Sequence, residues 1–193
     1  MQEEKSRIPN SDRRAAMRAR LLASARRLFV EKGYAETSTP EIVKDAGVTR
    51  GALYHHFDDK SALFDALICA EAESLATDIE AAALGSSGDP MQAGAEAFFA
   101  AMSHPGRARL LLVDGPAALG QARMDEIDAG NGRRTLRDGL AAARPDLTQD
   151  DLDALSLLLS AAFDRAAQAI AEGADQAPLL AGILNLITGV TRA

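Results

Sequence analysis

Between Ser38 and Lys60 the chain gathers groups that can hydrogen-bond outward without the makings of a catalyst. They are Ser38, Thr39, Thr49, Arg50, Tyr54, His55 and Lys60, with Gly51 among them. Wound as a helix at about 100° per residue, the stretch around Arg50–Phe57 sets Thr49, Leu53 and Phe57 on one side. Gly51, Tyr54, His55 and Asp58 fall on the other. The first side is apolar and calls for packing on Ile42 and Ala46. The second offers a phenol, an imidazole, a flanking guanidinium and a glycine that lets backbone come close, groups suited to phosphates and base edges of duplex DNA. A major groove about 12 Å wide admits one such helix. Lys60 is a separate clue, because a cation in the first turn of a helix opposes the macrodipole by roughly a few tenths of a kcal/mol. A DNA phosphate held by Lys60 and the helix start would offset this, and Ser38 and Thr39 can hold a second. A solvated lysine is the bland alternative when Lys60 is taken alone.

Enzymatic chemistry lacks its parts. Of three histidines, His55 and His56 lie in this same segment, His56 turned partly inward, and His104 stands alone before Pro105. No metal-ligand spacing, phosphate-binding glycine loop or nucleophile elbow is present, so neither a metal nor a cofactor is implied. Asp150, Asp151 and Asp153 lack the glycine turn and terminal Glu of a calcium loop and read better as a dipole-favoured helix start. Cys69, the single cysteine, is flanked by Leu67, Ile68 and Ala70 and reads as a small buried hydrophobe.

The elements that must position the outward groups are helical. With 47% hydrophobic and 4% aromatic residues and no Trp, the composition is that of an Ala/Leu-rich, all-α protein. No run reaches the roughly 18 uninterrupted apolar residues of a membrane span, and a cytoplasmic, non-membrane protein is expected. Residues 1–13 read as a flexible arm interrupted by Pro9. From about Asp12 a helix carries Met17, Leu21, Ala25 and Leu28 inward and stops at Gly33 in an expected Schellman cap, Phe29 packing on Tyr34. Ser38 and Glu41 have capping-box spacing, with Pro40 in the first turn. Gly47 ends that short helix and Thr49 caps the next, which together make a helix-turn-helix signature. Further helices are expected over Lys60–Leu84, Pro90–Ser103, Arg107–Val113, from near Pro116 to Arg144 with a break at Gly130–Gly132, over Leu152–Glu172, and over Pro178–Thr191. Charge is divided: the protein carries a net −7, but residues 1–60 are net +3 and the remainder net −10. This asymmetry directs a polyanion to the N-terminal end.

The run TSTPEIVKDAGVTRGALYHHFDDKSALFDAL, preceded by LFVEKGY, closely resembles the DNA-binding domain of the TetR family of repressors. Gly33-Tyr34, Ala46-Gly47-Val48, Leu53-Tyr54-His55, Phe57 and Lys60 hold the family's spacing over Met17–Leu67. The resemblance implies a three-helix head over residues 14–60 and an all-helical ligand-binding and dimerisation domain over 61–193. Thr49, Arg50, Gly51, Tyr54 and His55 would then lie against DNA, Tyr54 and Lys60 mainly on phosphates, Arg50 and His55 on base edges. Asp58-Asp59 departs from the Ser, Asn or Gly usual before the lysine, and Asp58 disfavours close phosphate approach.

Two surfaces are expected beyond the head. A pocket for a small apolar effector would draw on Phe98, Phe99, Met102, Leu111, Leu112, Leu119, Met124, Leu158 and Phe163, residues that core packing alone also explains. A homodimer interface would use Leu155, Leu159, Ala162 and Ala166 with Leu179, Ile183, Leu186, Ile187 and Val190, because the last helix is apolar over too wide an arc for one domain face. The symmetric dimer would bring two reading heads to a palindromic double-stranded operator. A helical protein-interaction module that keeps the fold without binding DNA is the competing reading.

Overall fold

The structure, a computed structural model, describes residues 10–192, and every regular element among them is a helix. The expected arm lies outside the described residues up to Pro9, while Asn10–Arg13 already belong to α1. The helices are α1 (Asn10–Lys32), α2 (Thr39–Ala46), α3 (Arg50–His56), α4 (Lys60–Gly85), α5 (Pro90–Met102), α6 (Arg107–Arg109), α7 (Gly115–Leu119), α8 (Gln121–Gly130), α9 (Gly132–Ala143), α10 (Gln149–Ala171) and α11 (Gln176–Thr191). The chain divides into two compact units, one through Leu67 and one from Ile68 onward.

In the first unit Leu21, Ala25 and Phe29 of α1 pack with Ile42, Leu53, Leu63 and Phe64, all with essentially no solvent exposure. The Phe29, Tyr34 and Phe64 rings meet at 4.5–5.6 Å. The α1 cap departs from the expected form. Gly33, at φ 86°, donates its N–H to the Phe29 carbonyl at 2.8 Å, the single 5→1 bond of an αL cap rather than the Schellman pair. The Schellman pair occurs instead at the end of α2, where Val48 N–H bonds the Val43 carbonyl and Gly47 N–H the Lys44 carbonyl.

In the second unit Phe98, Phe99 and Phe163 form an aromatic cluster with centroids 4.9–5.7 Å apart. A second centre joins Leu140, Leu152 and Leu159 to Met91, Leu136 and Val190. The Thr148 capping box opens α10: Thr148 N–H and hydroxyl both donate to Asp151. Arg144 ties the end of α9 to α11 by donating to the Val190 carbonyl at 2.8 Å. Arg107 is buried, its guanidinium reaching Glu71 at 3.0 Å, Ser74 at 3.2 Å and Asp78 at 3.4 Å, a cluster that the sequence pattern does not reveal. Among the described residues α10 has the length and hydropathy of a membrane span, yet it carries Asp164 among its half-buried positions and Phe163, Ala166 and Ala167 in the core.

One break falls elsewhere than expected. Arg107–Leu119 is one continuous helical path with a π-helical segment at Leu110–Asp114. Pro116 has no N–H to give and its ring crowds the carbonyl four residues back, and the widened π turn takes up that mismatch without ending the helix. The interruption comes at Gly120. The expected break at Gly130–Gly132 is present, with Asn131 between α8 and α9.

Candidate nucleic-acid interface

The turn between α2 and α3 is held by its own backbone chemistry. Ser38 donates both its N–H and its hydroxyl to Glu41, at 2.9 and 2.7 Å, and Glu41 also pairs with Lys32 at 2.6 Å. The Lys32 ammonium, followed by the Ser38 donors, holds the Glu41 carboxyl down at about 2. At the far end Gly47 adopts φ 61°, ψ 40°, a left-handed geometry that a Cβ disfavours. Arg20 of α1 donates to the Ala46 and Gly47 carbonyls, and Arg27 pairs with Asp45. Thr49 caps α3 by accepting the Ala52 N–H at 3.2 Å. These contacts fix α3 against α1 and α2 through buried Leu53.

The opposite face of α3 is free. Gly51, Tyr54 and His55 are exposed, as is Arg50, and a Cβ at Gly51 would meet nothing within 4 Å. The structure brings Thr39, Arg50 and Tyr54 together. The Arg50 guanidinium lies 5.5 Å from the Tyr54 ring centroid. The Thr39 hydroxyl, and after it Arg50, holds the Tyr54 phenol below its ordinary value. The His55 ring stands edge-on to His56 at 5.6 Å. His56 is half-buried beside Phe57, and its pKa is lowered by burial first, then by His55, Arg14 and Arg18.

Lys60 is turned inward. Its ammonium donates to the Tyr34 carbonyl at 3.0 Å and the Thr37 carbonyl at 3.1 Å, and it sits 4.3 Å from the Tyr34 ring centroid. The compensation that an anion was expected to supply to this helix-start cation comes from carbonyl oxygens and an aromatic face. Asp59 meets the α4 dipole in the ordinary way, accepting the Ala62 N–H at 2.7 Å. Buried Thr37 and, from α1, Arg20 also hold this turn without having been singled out in the sequence. The Thr37 hydroxyl donates to the Gly33 carbonyl at 2.8 Å. Capping spacing betrays Ser38 and Thr49, but a side chain bonded to a distant carbonyl leaves no pattern.

Residues 21–67 match the family described as bacterial regulatory proteins, tetR family. Residues 89–193 match the tetracyclin repressor-like C-terminal domain. The chain belongs to the TetR family. Its head is 42% identical over 67 residues to the HTH-type transcriptional repressor Rv1474c of Mycobacterium tuberculosis, a match covering 35% of this chain and 36% of that protein. It is 57% identical over 47 residues to the HTH-type transcriptional regulator AcrR of Shigella flexneri, covering 24% of this chain and 22% of that protein. The chain thus spans about a third or less of these curated relatives. Over most of its length it is similar to a TetR-family transcriptional regulator from Pectobacterium atrosepticum, with TM-score 0.72 and 28% identity, covering 93% of this chain and 94% of that one. FadR of Bacillus subtilis, solved in complex with stearoyl-CoA, shares the fold at TM-score 0.73 and 14% identity, covering 90% and 97%.

The C-terminal unit of this TetR-family protein contains an open-sided cavity of about 1120 Å³. Of the residues named from the sequence, Phe98, Met102, Leu111, Leu112, Met124 and Phe163 line it. Phe99, Leu119 and Leu158 do not: Phe99 packs behind the wall against Phe163, and Leu158 is 67% exposed. The helical period had allowed Leu158 to face either way. The expected dimer stripe divides similarly. Leu159, Ala166, Ile183 and Ile187 are buried inside the protomer, and Leu155, Ala162, Leu179 and Val190 are half-buried. Leu186 is exposed, and Leu157 and Leu158 join it as outward apolar groups. Both arcs of these helices are apolar, so hydrophobicity alone could not choose the one facing the protomer's own core.

Proposed function

We propose that this transcriptional regulator is a repressor that binds a palindromic operator as a homodimer and is released by a small-molecule effector. The exposed Arg50–Tyr54–His55 face of α3, on a helix anchored from behind by Leu53 and the Gly47 turn, carries the reading. Such a helix presents guanidinium and imidazole to base edges and phenol and hydroxyl groups to phosphates, with Thr39, Thr49 and Gly51 at its margins, whereas Ser38 gives its N–H and hydroxyl to Glu41 and serves the α2 cap. Lys60 acts as a positioning residue, since its donors are committed to the α1–α2 turn. The dimer forms through the outward arcs of α10 and α11, Leu157, Leu158 and Ala161 with Ala181, Gly182, Leu186 and Gly189. The small residues there let helices approach closely. The effector occupies the cavity and binds best to a conformer that holds the heads out of register with DNA.

Fluorescence-anisotropy titration of labelled genomic fragments at several salt concentrations tests this. The expected result is a preferred fragment bound at least about a thousandfold more tightly than random duplex at physiological salt. Equal affinity for every fragment would remove the operator reading.

A further inference from the structure

We propose that the C-terminal cavity takes a lipophilic cation, its charge held by Asp164 and Asp128 and its apolar body by Phe98, Phe163 and Met124. The inference rests on the effector reading above and narrows it from an apolar molecule to a cationic one. Six carboxylates line the cavity, those of Glu80, Asp89, Asp125, Asp128, Asp138 and Asp164, against the two guanidiniums of Arg134 and Arg165.

Most of these charges are already engaged. Arg134 pairs with Glu80 at 2.6 Å and Asp138 at 3.4 Å, and Arg165 faces Glu172 at 3.8 Å. Asp89 caps α5 through the Met91 N–H at 2.9 Å. Asp125 accepts from Gln121 at 2.8 Å. Asp128 accepts from Ser160 at 2.9 Å and the Arg133 N–H at 3.1 Å, with the Arg133 guanidinium at 3.8 Å. Asp164 has neither a hydrogen bond nor an ion pair among the described residues.

A largely buried carboxylate without a partner is costly when ionised and either keeps its proton or waits for a cation. Burial, and then the charge of Asp128, raises the Asp164 pKa to about 7. Burial raises that of Asp128 as well. The aromatic faces of Phe98 and Phe163, 4.9 Å apart, add a surface that attracts a soft cation. The same wall repels a fatty carboxylate or an acyl-CoA. On binding, the cation replaces the proton of Asp164, which passes to solvent, so affinity rises as pH increases up to and through about 7.

Isothermal titration of the full chain, without DNA, with tetraphenylphosphonium and its near-isosteric anion tetraphenylborate tests the assignment. The phosphonium is expected to bind at least tenfold more tightly, and to release protons at pH 6.5, seen as a binding enthalpy that varies with the buffer. Asp164→Asn should reduce its affinity at least tenfold and abolish the proton release, while Asp150→Asn, in the exposed first turn of α10, changes neither. Asp128→Asn should weaken binding independently, and circular dichroism establishes that each variant is folded. Equal affinities, preference for the borate, no binding of either probe, or a preference that survives in both Asp164→Asn and Asp128→Asn would overturn the proposal. Phosphonium that binds with this signature but leaves DNA bound would remove the release mechanism and keep the cation site. A neutral compound that frees DNA while the phosphonium shows no preference would do the reverse.

Discussion

Arg50 lies on the outward face of α3 with its guanidinium near Tyr54, whereas Lys60 turns its ammonium onto the carbonyls of the α1–α2 turn. Replacing each with Ala should therefore fail differently. Arg50→Ala is expected to change stability by no more than about 0.5 kcal/mol and to relax preference at one base position of each half-site. Lys60→Ala leaves carbonyls unpaired and should cost about 1–3 kcal/mol, weakening all DNA sequences alike through a disordered turn. Thermal melts beside operator titrations separate the two, and equal losses of stability would contradict the roles. Asp164 gives a residue-scale prediction of opposite sign. Its folded pKa of about 7 exceeds the 3.8 of an ordinary aspartate, so its destabilising effect is absent at pH below about 4, grows as pH rises, and levels off above about 7. Asp164→Asn should accordingly raise Tm more at pH 8 than at pH 5, and a uniform shift would show that desolvated charge is not the cause.

At the level of elements, the head depends on the angle that Gly47 gives between α2 and α3. Its φ of 61° is left-handed, and an added Cβ would meet the Arg20 guanidinium at 3.1 Å. Gly47→Ala is expected to cost about 1 kcal/mol or more, measured by chemical denaturation, and to weaken operator binding beyond what the stability loss explains. A neutral change would show the turn to be tolerant. This part of the fold was legible in the sequence, because caps and left-handed glycines are local: Ser38/Glu41, Gly47 and Thr49 all sit where their spacing placed them. The path from Arg107 to Leu119 was not, since Pro116 opens a helix as readily as a π turn absorbs it. The outward face of α3 was legible for the same reason as the caps, through a short apolar side that had to point inward. Thr37 and Arg20 escaped notice, and Lys60 was noticed for an outward role rather than this inward one, because bonds from side chains to backbone carbonyls leave no pattern in residue type or spacing. Asp128 and Asp164 escaped because a charge on an amphipathic helix ordinarily means a solvated face, whereas here it lines a cavity.

For the molecule as a whole, a basic N-terminal portion on an otherwise acidic chain confines the attraction for a polyanion to the reading heads, and a two-fold dimer would set two of them on one duplex. Leu158→Arg combined with Leu186→Arg, both on exposed positions, should yield a folded monomer in sedimentation velocity and abolish high-affinity operator binding. A variant that stays dimeric would place the interface elsewhere. The most direct test of the central claim, that α3 reads DNA in a symmetric pair, is selection of bound duplexes from a random library at physiological salt, followed by sequencing. The result predicted is a palindromic consensus whose half-sites lie one or more helical turns of about 34–36 Å apart, with one position degenerate in Arg50→Ala. Recovery of unenriched sequences, or a consensus that Arg50→Ala leaves intact, would contradict it.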